Sequence, residues 1–235
     1  MRECRPRSTG DGLVADVVVV GSGIAGLFVA TRCARAGLDT VVVTKKNLAD
    51  SSTNWAQGGI AAAMDHDDLQ AHIDDTIRAG CGLSDPEIVE MVIQESAQRI
   101  EDLITSGVRF DTDDDGFDLA IEGGHSSRRI LHAKDATGAE IERALIVEAK
   151  ASPNLKLLES HMAVDLILKE KLADIKEIAG IWVLSPKGDV QTISARAIIM
   201  ATGGAGHIYR QTTNPSVATG DGVAMAHRAG ALVRD

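Results

Sequence analysis

The chain has 235 residues, 44% of them hydrophobic, with 23 glycines and a formal net charge of −10. That length buries a sizeable core, as one large domain or one domain plus part of a second, and a mean hydropathy near zero reads as soluble and globular rather than disordered. The acidic balance opposes a nucleic-acid partner, because such binding draws most of its affinity from clustered Lys and Arg, and "SSRR" at 126–129 is too short to reverse it.

The polar leader, residues 1–14, is expected to be loose. The apolar run that follows it is too short, and too soon broken by glycine, for a signal segment or a membrane span. Residues 15–20, "ADVVVV", are β-branched and bounded by glycine, as in a strand buried on both faces. A helix is predicted over "IAGLFVATRCARAG", stopping at Gly37, and "TVVVT" supplies a second strand. This order implies a right-handed crossover and a parallel sheet.

Farther on, "LQAHIDDTIRAG" predicts a helix ending at Gly80. A longer one follows from Pro86, capped by Asp85, with Val89, Val92, Ile93, Ala97, Ile100, Leu103 and Ile104 on one core-facing side. A third helix spans about Thr137 to Ala151. "LKLLES", "AVDLILKE", "IKEIAGIWVLSP" and "VQTISARAIIMATGG" read as strands, with "PKGD" as a hairpin turn, before a last helix from roughly Gly220 to Ala229. Cys4, Cys33 and Cys81 are odd in number and far apart, with no CxxC pair, so neither a disulfide framework nor a zinc site is expected, and a reducing cytoplasm fits best.

The first strand and helix are joined by "GSGIAG", which sets Gly21, Gly23 and Gly26 on the GxGxxG spacing of a dinucleotide loop. In such a loop the first glycine permits the tight turn, the second lets the backbone approach a pyrophosphate, and the third lets helix and strand pack closely. The helix N-terminus then offers free N–H groups and the positive end of its dipole. The acidic residue that would hold an NAD ribose at the end of the second strand is missing; Thr44 and Lys45 stand there instead.

"SSTNWAQGGIAAA", "EGGHSSRRILHAKDATG" and "ATGGAGHIYRQTTNPSVATGDGVAMAHRAGA", with "DVVVVGSGIAGL", resemble the flavoprotein family of succinate dehydrogenases, fumarate reductases and L-aspartate oxidases, and within it the last group most. The resemblance runs from about Asp16 to the last residue. It implies an α/β fold: a Rossmann-like FAD-binding domain with a parallel sheet, crossover helices and an added antiparallel β-meander, over residues 15–235. It also implies that a capping domain, a second FAD segment and further catalytic residues lie beyond residue 235, so that the segment would be incomplete as an enzyme.

The implied cofactor is FAD. The matched positions are Ser22, Gly23, Ile24 and Ala25 at the pyrophosphate, Lys45 after the second strand, Ser52, Thr53, Asn54, Trp55, Ala56, Gln57, Gly58 and Gly59 around the ribityl chain and flavin ring, Ala163 and Val164 on the adenine side, and Asp221 as an acidic contact. Ser52 stands where family members with covalent flavin carry histidine, so a non-covalent cofactor is implied. The implied reaction takes L-aspartate to iminoaspartate with oxygen or fumarate as electron acceptor, at the head of NAD biosynthesis and functionally linked to quinolinate synthase. Glu122 is the matching catalytic glutamate: an ionised carboxylate suits an ammonium. His125, Arg128, Arg129 and His132 offer positive charge nearby, or serve the loop's own structure. A soluble fumarate reductase and a non-catalytic nucleotide-binding module are the alternatives.

Glu122 also completes a pattern of another kind. "DTDDDGFDLAIE", residues 111–122, satisfies DxDxDGx5E through Asp111, Asp113, Asp115, Gly116 and Glu122. The flanks do not read as the two helices of a calcium hand, so a solvated acidic hairpin bent at Gly116 is expected and no metal. "DHDD" at 65–68 reads likewise as acidic residues ahead of a helix N-terminus.

Overall fold

A computed structural model describes residues 7–9, 12–114, 116–170 and 176–234. In chain order the elements are β1 (Arg7–Thr9), β2 (Gly12–Val20), α1 (Ile24–Arg35), β3 (Thr40–Val43), β4 (Ile60–Ala61), α2 (Leu69–Ala79), α3 (Pro86–Gln94) and α4 (Ser96–Thr105). The short strands β5 (Thr112–Asp113), β6 (Gly116–Phe117), β7 (Leu119–Ala120) and β8 (Ile130–Leu131) precede α5 (Thr137–Ala151). Then come β9 (Leu155–Leu158), β10 (Met162–Glu170), β11 (Lys176–Leu184), β12 (Val190–Met200) and α6 (Asp221–Arg228). These residues form two compact units: 1–54 with 145–235, and 55–144 inserted between them in sequence.

The first unit is built on a sheet in the order β10-β11-β12-β2-β3-β9, with β1 paired to β2. β12, β2, β3 and β9 run parallel, and β10, β11 and β12 form the antiparallel meander. The Val-rich runs occupy its centre: Val18, Val19, Val41 and Val42 are inaccessible to solvent, as strands covered on both faces require. Ile181, Val183, Ile193 and Met225 join the same core. α1 closes at Ala36, and Gly37 takes φ +83°, the left-handed turn that ends the helix. The turn at "SPKGD" is closed by Gly188 N–H donating to the Ser185 carbonyl.

Within the segment expected as a loose leader, β1 pairs antiparallel with Gly12–Val14, and β2 begins at Gly12 rather than residue 15. The polar composition hid this pairing because it is made by backbone groups.

The second unit holds α2, α3, α4, the three-stranded sheet β4-β8-β7 and the hairpin β5–β6. Asp85 caps α3 by accepting from the Glu87 and Ile88 amides, with Pro86 opening the helix. The single long helix expected from Pro86 is two, α3 and α4, meeting at Glu95, where ψ opens to −11° and the Glu95 amide bond to the Met91 carbonyl lengthens to 3.3 Å. Ile93, Ile100 and Leu103 are buried, whereas Val92 is 58% and Ile104 39% exposed, so the predicted apolar side is only partly core. Ile73 and Ile93 pack with Ala63.

The acidic stretch is a hairpin. Thr112 pairs with Phe117 and Asp113 with Gly116, which takes φ +140°, while Asp115 lies outside the described residues. Asp111 does not belong to a solvated turn. Its Oδ2 accepts from the Lys134 amide at 2.6 Å and meets His132 Nδ1 at 3.0 Å, and these donors, the Lys134 amide first, hold its carboxyl below the usual range. Of "DHDD", Asp65 caps a short 3-10 turn by accepting from the Asp67 amide. Asp68 is instead an ion-pair partner described below.

Candidate functional site

In the first unit a cavity of about 490 Å³ opens where the parallel strands end. Met200, Val20 and Val43 stand side by side in register at the carboxyl ends of β12, β2 and β3, and all three line it. Ligands of open α/β sheets bind at that edge, because the loops leaving adjacent strands diverge there and expose backbone groups.

The glycine loop shapes one wall. Gly21 takes φ +110°, and a Cβ there would stand 2.1 Å from the Ala201 carbonyl oxygen, so no side chain is accommodated. Gly26 lets α1 settle on that turn; its Cβ would lie 2.0 Å from the Gly21 carbonyl oxygen. Gly23 is the N-cap of α1 and contributes no side-chain cap, and the first turn carries no acidic residue. The helix therefore presents its positive end to the cavity without an internal counter-charge. The Ile24 amide donates to Thr53 Oγ1 at 3.0 Å, which ties this end of the helix to the "SSTN" segment.

Ser22 is buried, and its Oγ lies 2.9 Å from both the Leu48 carbonyl oxygen and Thr44 Oγ1. With one hydrogen it donates to the carbonyl and accepts from Thr44, so its hydroxyl is consumed in fixing the loop after β3. What Ser22 offers the cavity is backbone.

The far rim carries charge. Lys45 Nζ lies 2.5 Å from both Asp221 Oδ2 and Thr219 Oγ1, and Thr219 donates to Asp221 at 2.8 Å. Burial pushes the Asp221 carboxyl up, but the bonds from Lys45 and Thr219 outweigh it and hold the group below its usual value, hence ionised. The acid absent from the end of β3 in the sequence is thus present in space beside Lys45, carried by the first turn of α6.

Of the sequence-derived positions, Gly21, Ser22, Gly23, Ile24, Ala25, Lys45, Ser52, Thr53, Ala163 and Asp221 line this one cavity. Gly26 and Asn54 lie in the same unit off the lining. Val164 also lies off it, 41% exposed at a register shift between Ala163 and Asp165, where the strand bulges. Ala201–Gly204, which open the "ATGGAG" motif but carry no role in the sequence reading, form another wall. The available signal was a second strand running straight into paired glycines.

Trp55, Ala56, Gln57, Gly58, Gly59 and Glu122 belong to the second unit. Gly59 packs against β8, its Cβ position 2.1 Å from Ile130 Cγ2. Gly58 stands beside Glu122: a Cβ there would be 3.3 Å from Oε1. Trp55 is 69% exposed.

Behind Glu122 the charged residues are engaged with one another. Arg129 is 1% exposed; Nε donates to Asp68 Oδ2, Nη1 to Asp75 Oδ2, and Nη2 to Asp68 Oδ1, each at 2.7 Å. Hydrogen bonding to Asp68, then to Asp75, raises its pKa further, and the same bonds hold both carboxyls below their usual value. Its charge is matched inside the unit. Arg128 donates to the Leu119 carbonyl at 3.0 Å, and His132 pairs with Asp111. His125 packs edge-on to His72, their centroids 6.2 Å apart.

Long and anionic, a dinucleotide fits the first unit's donor set: small residues allow close approach, a helix N-terminus faces the cavity, and a lysine and a carboxylate stand at the rim. The model of the family described as "FAD binding domain" matches residues 16–235. The chain is 48% identical over 229 residues to the L-aspartate oxidase of Streptomyces coelicolor, covering 96% of this chain and 39% of that protein. It is 44% identical over 235 residues to L-aspartate oxidase 2-b, chloroplastic, of Nicotiana tabacum, covering 99% and 36%. It thus spans about two fifths of the length of such relatives. Among solved structures it is similar to the Mycobacterium smegmatis Sdh1 complex (TM-score 0.85, 34% identity, 92% of this chain and 39% of that one). An E. coli quinol fumarate reductase gives a TM-score of 0.84 at 29% identity, over 92% and 37%. From residue 16 onward the chain belongs to the FAD-binding domain family, with FAD as its cofactor.

Proposed function

We propose that the protein is the FAD-binding part of a flavoenzyme that oxidises L-aspartate to iminoaspartate, with FAD held non-covalently in the cavity of the first unit. The α1 N-terminus and the backbone of residues 22–25 would hold the pyrophosphate, with Lys45 and Asp221 as further contacts to the cofactor. Ser52 has no group able to form a histidyl bond to flavin, which supports non-covalent retention. When bound, FAD would supply the redox chemistry: the two electrons and two protons lost in forming iminoaspartate would pass by way of the flavin to oxygen or fumarate.

The observation that carries the aspartate reading is Glu122. It is an exposed carboxylate set against Gly58, in the segment "NWAQGG" that the family resemblance assigns to the flavin. A negative group there receives the substrate ammonium and orients Cα, whereas a plain dicarboxylate gains nothing from it. Glu122→Gln in the whole protein is expected to raise the KM for aspartate about 10-fold or more, as loss of one charge-assisted contact does, and to leave fumarate reduction within about 2-fold. Equal losses on the two substrates would remove the assigned role.

A second reading, a soluble fumarate reductase-like enzyme, is favoured by the fold likeness to quinol fumarate reductase. Comparing aspartate with succinate as reductant of the bound flavin separates the two. Oxidation of aspartate would feed quinolinate synthase at the head of NAD biosynthesis, and the scattered cysteines, with no CxxC pair, fit a reducing cytoplasm. Among the described residues no helix is long and apolar enough to cross a membrane.

A further inference from the structure

The loop from Glu122 to Arg129 is tied at its far end, where the Arg129 amide donates to the Ala120 carbonyl at 3.2 Å and Arg128 to the Leu119 carbonyl at 3.0 Å, and more loosely at its start, where Arg78 lies 3.5 Å from the Gly124 carbonyl oxygen. Gly123 and Gly124 border open space where a Cβ would stand, and Gly124 takes φ +93°. The Glu122 carbonyl accepts from the His125 amide at 3.2 Å. One residue beyond, the loop is gripped from α2. Asp75 Oδ2 accepts from the Ser126 amide, from Ser126 Oγ and from Arg129 Nη1, each at 2.7 Å, and Oδ1 accepts from Arg78.

Asp68 takes the next residues, pairing with Arg129 and accepting from Ser127 Oγ. Between them His72, 8% exposed, meets His125 edge-on; burial first, then the Arg129 charge, lowers its pKa and favours the neutral ring. Positions 68, 72 and 75 fall at i, i+4 and i+7, so one face at the start of α2 presents all three contacts.

We infer that Asp75 is a positioning residue for Glu122, fixing the loop 122–129 so that the carboxylate stays beside Gly58. Its link to substrate choice rests on the role of Glu122 proposed above; its link to the loop does not. Asp75 touches neither substrate nor cofactor in this scheme. It acts by converting a glycine-rich loop into one with a single position, and a fixed carboxylate loses less entropy on meeting an ammonium.

The test uses the whole protein loaded with FAD, comparing Asp75→Asn and the milder Ser126→Ala with the parent. Amide hydrogen exchange across 121–129 is expected to speed up about 10-fold or more in Asp75→Asn and less in Ser126→Ala, while α5 and the hairpin β5–β6 keep their protection. The KM for aspartate is expected to rise about 5- to 10-fold with kcat within about 2-fold, and fumarate reduction to be unchanged. If Asp75→Asn unfolds the unit, Ser126→Ala, which keeps the backbone bond, carries the comparison.

A loop that stays protected in both variants overturns the inference. So does a released loop with aspartate and fumarate kinetics altered alike. A parent protein that holds FAD but does not oxidise aspartate defeats the proposed function, and loop exchange alone then decides whether Asp75 sets the loop.

Discussion

Around the cavity of the first unit the groups that do the holding are mostly backbone: the turn at Gly21, the exposed N-terminus of α1, and Ala201–Gly204 at the end of β12. In the second unit the loop carrying Glu122 is held by side chains, with Asp68, Ser126 and Ser127 closing a polar network around the buried Asp75 and Arg129. A site made of backbone tolerates almost no added volume but does not depend on ionisation. A site held by buried charges depends on every partner being present and ionised, since a charge left alone in the interior is expensive. The two regions should therefore fail in different ways.

The sharpest contrast is expected from Arg129→Gln. It leaves Asp68 without the cation that pairs with it and Asp75 with only the exposed Arg78, and loss of one partner of a buried pair costs about 3–5 kcal/mol. Hydrogen exchange should show the 55–144 unit opening while Val17–Val20 keep their protection; equal loss in both units would break the comparison. Next is Gly21→Ala. The strained φ costs about 1–3 kcal/mol before the collision with Ala201 is counted, so FAD affinity should fall about 100-fold, read from retained flavin absorbance.

Acid should act on the second unit in a graded way. Asp68, Asp75 and Asp111 are all held below the ordinary value of 3.8. Their contribution is therefore complete above that value and is lost as pH falls through the lowered ones, because the unfolded chain takes up protons first. The unfolding midpoint of the 55–144 unit should drop below pH 3.8, and Asp75→Asn should flatten the drop. Lys45→Met comes lower: with side chains 28% and 30% exposed, the Lys45–Asp221 pair should change stability by less than about 1 kcal/mol, and the effect should shrink in salt. Asp113→Asn, on the exposed hairpin, should stay within about 0.5 kcal/mol by denaturant unfolding.

Legibility in the sequence followed the same division. β2, α1, β3, α5 and the meander strands were readable because period and punctuation are local properties of the chain. The glycine loop was readable because its φ and its contacts require glycine at fixed spacing. The network around Arg129 left a fainter trace. Asp68, His72 and Asp75 have helical spacing, but nothing local says that a loop more than fifty residues away supplies their partners. The break at Glu95 was hidden for a related reason: the apolar period runs through it, and Val92 and Ile104 differ from Ile93 and Ile100 only in what tertiary packing leaves uncovered.

DxDxDGx5E shows how far a pattern reaches by itself. Its first half is a hairpin, yet Asp111 leaves that hairpin to bind the Lys134 amide and His132, and Glu122 belongs to a different loop beside Gly58. The sequence by itself determined the strand–glycine–helix unit, the parallel sheet it requires and the kind of cofactor it suits, since these rest on backbone geometry that particular residues impose. Tertiary structure alone decided that Asp221 would stand beside Lys45 in place of the missing acid. It alone decided, too, that the charge of Arg129 would be matched internally, because hydrogen bonds and ion pairs are chosen by distance in space, which sequence separation does not encode.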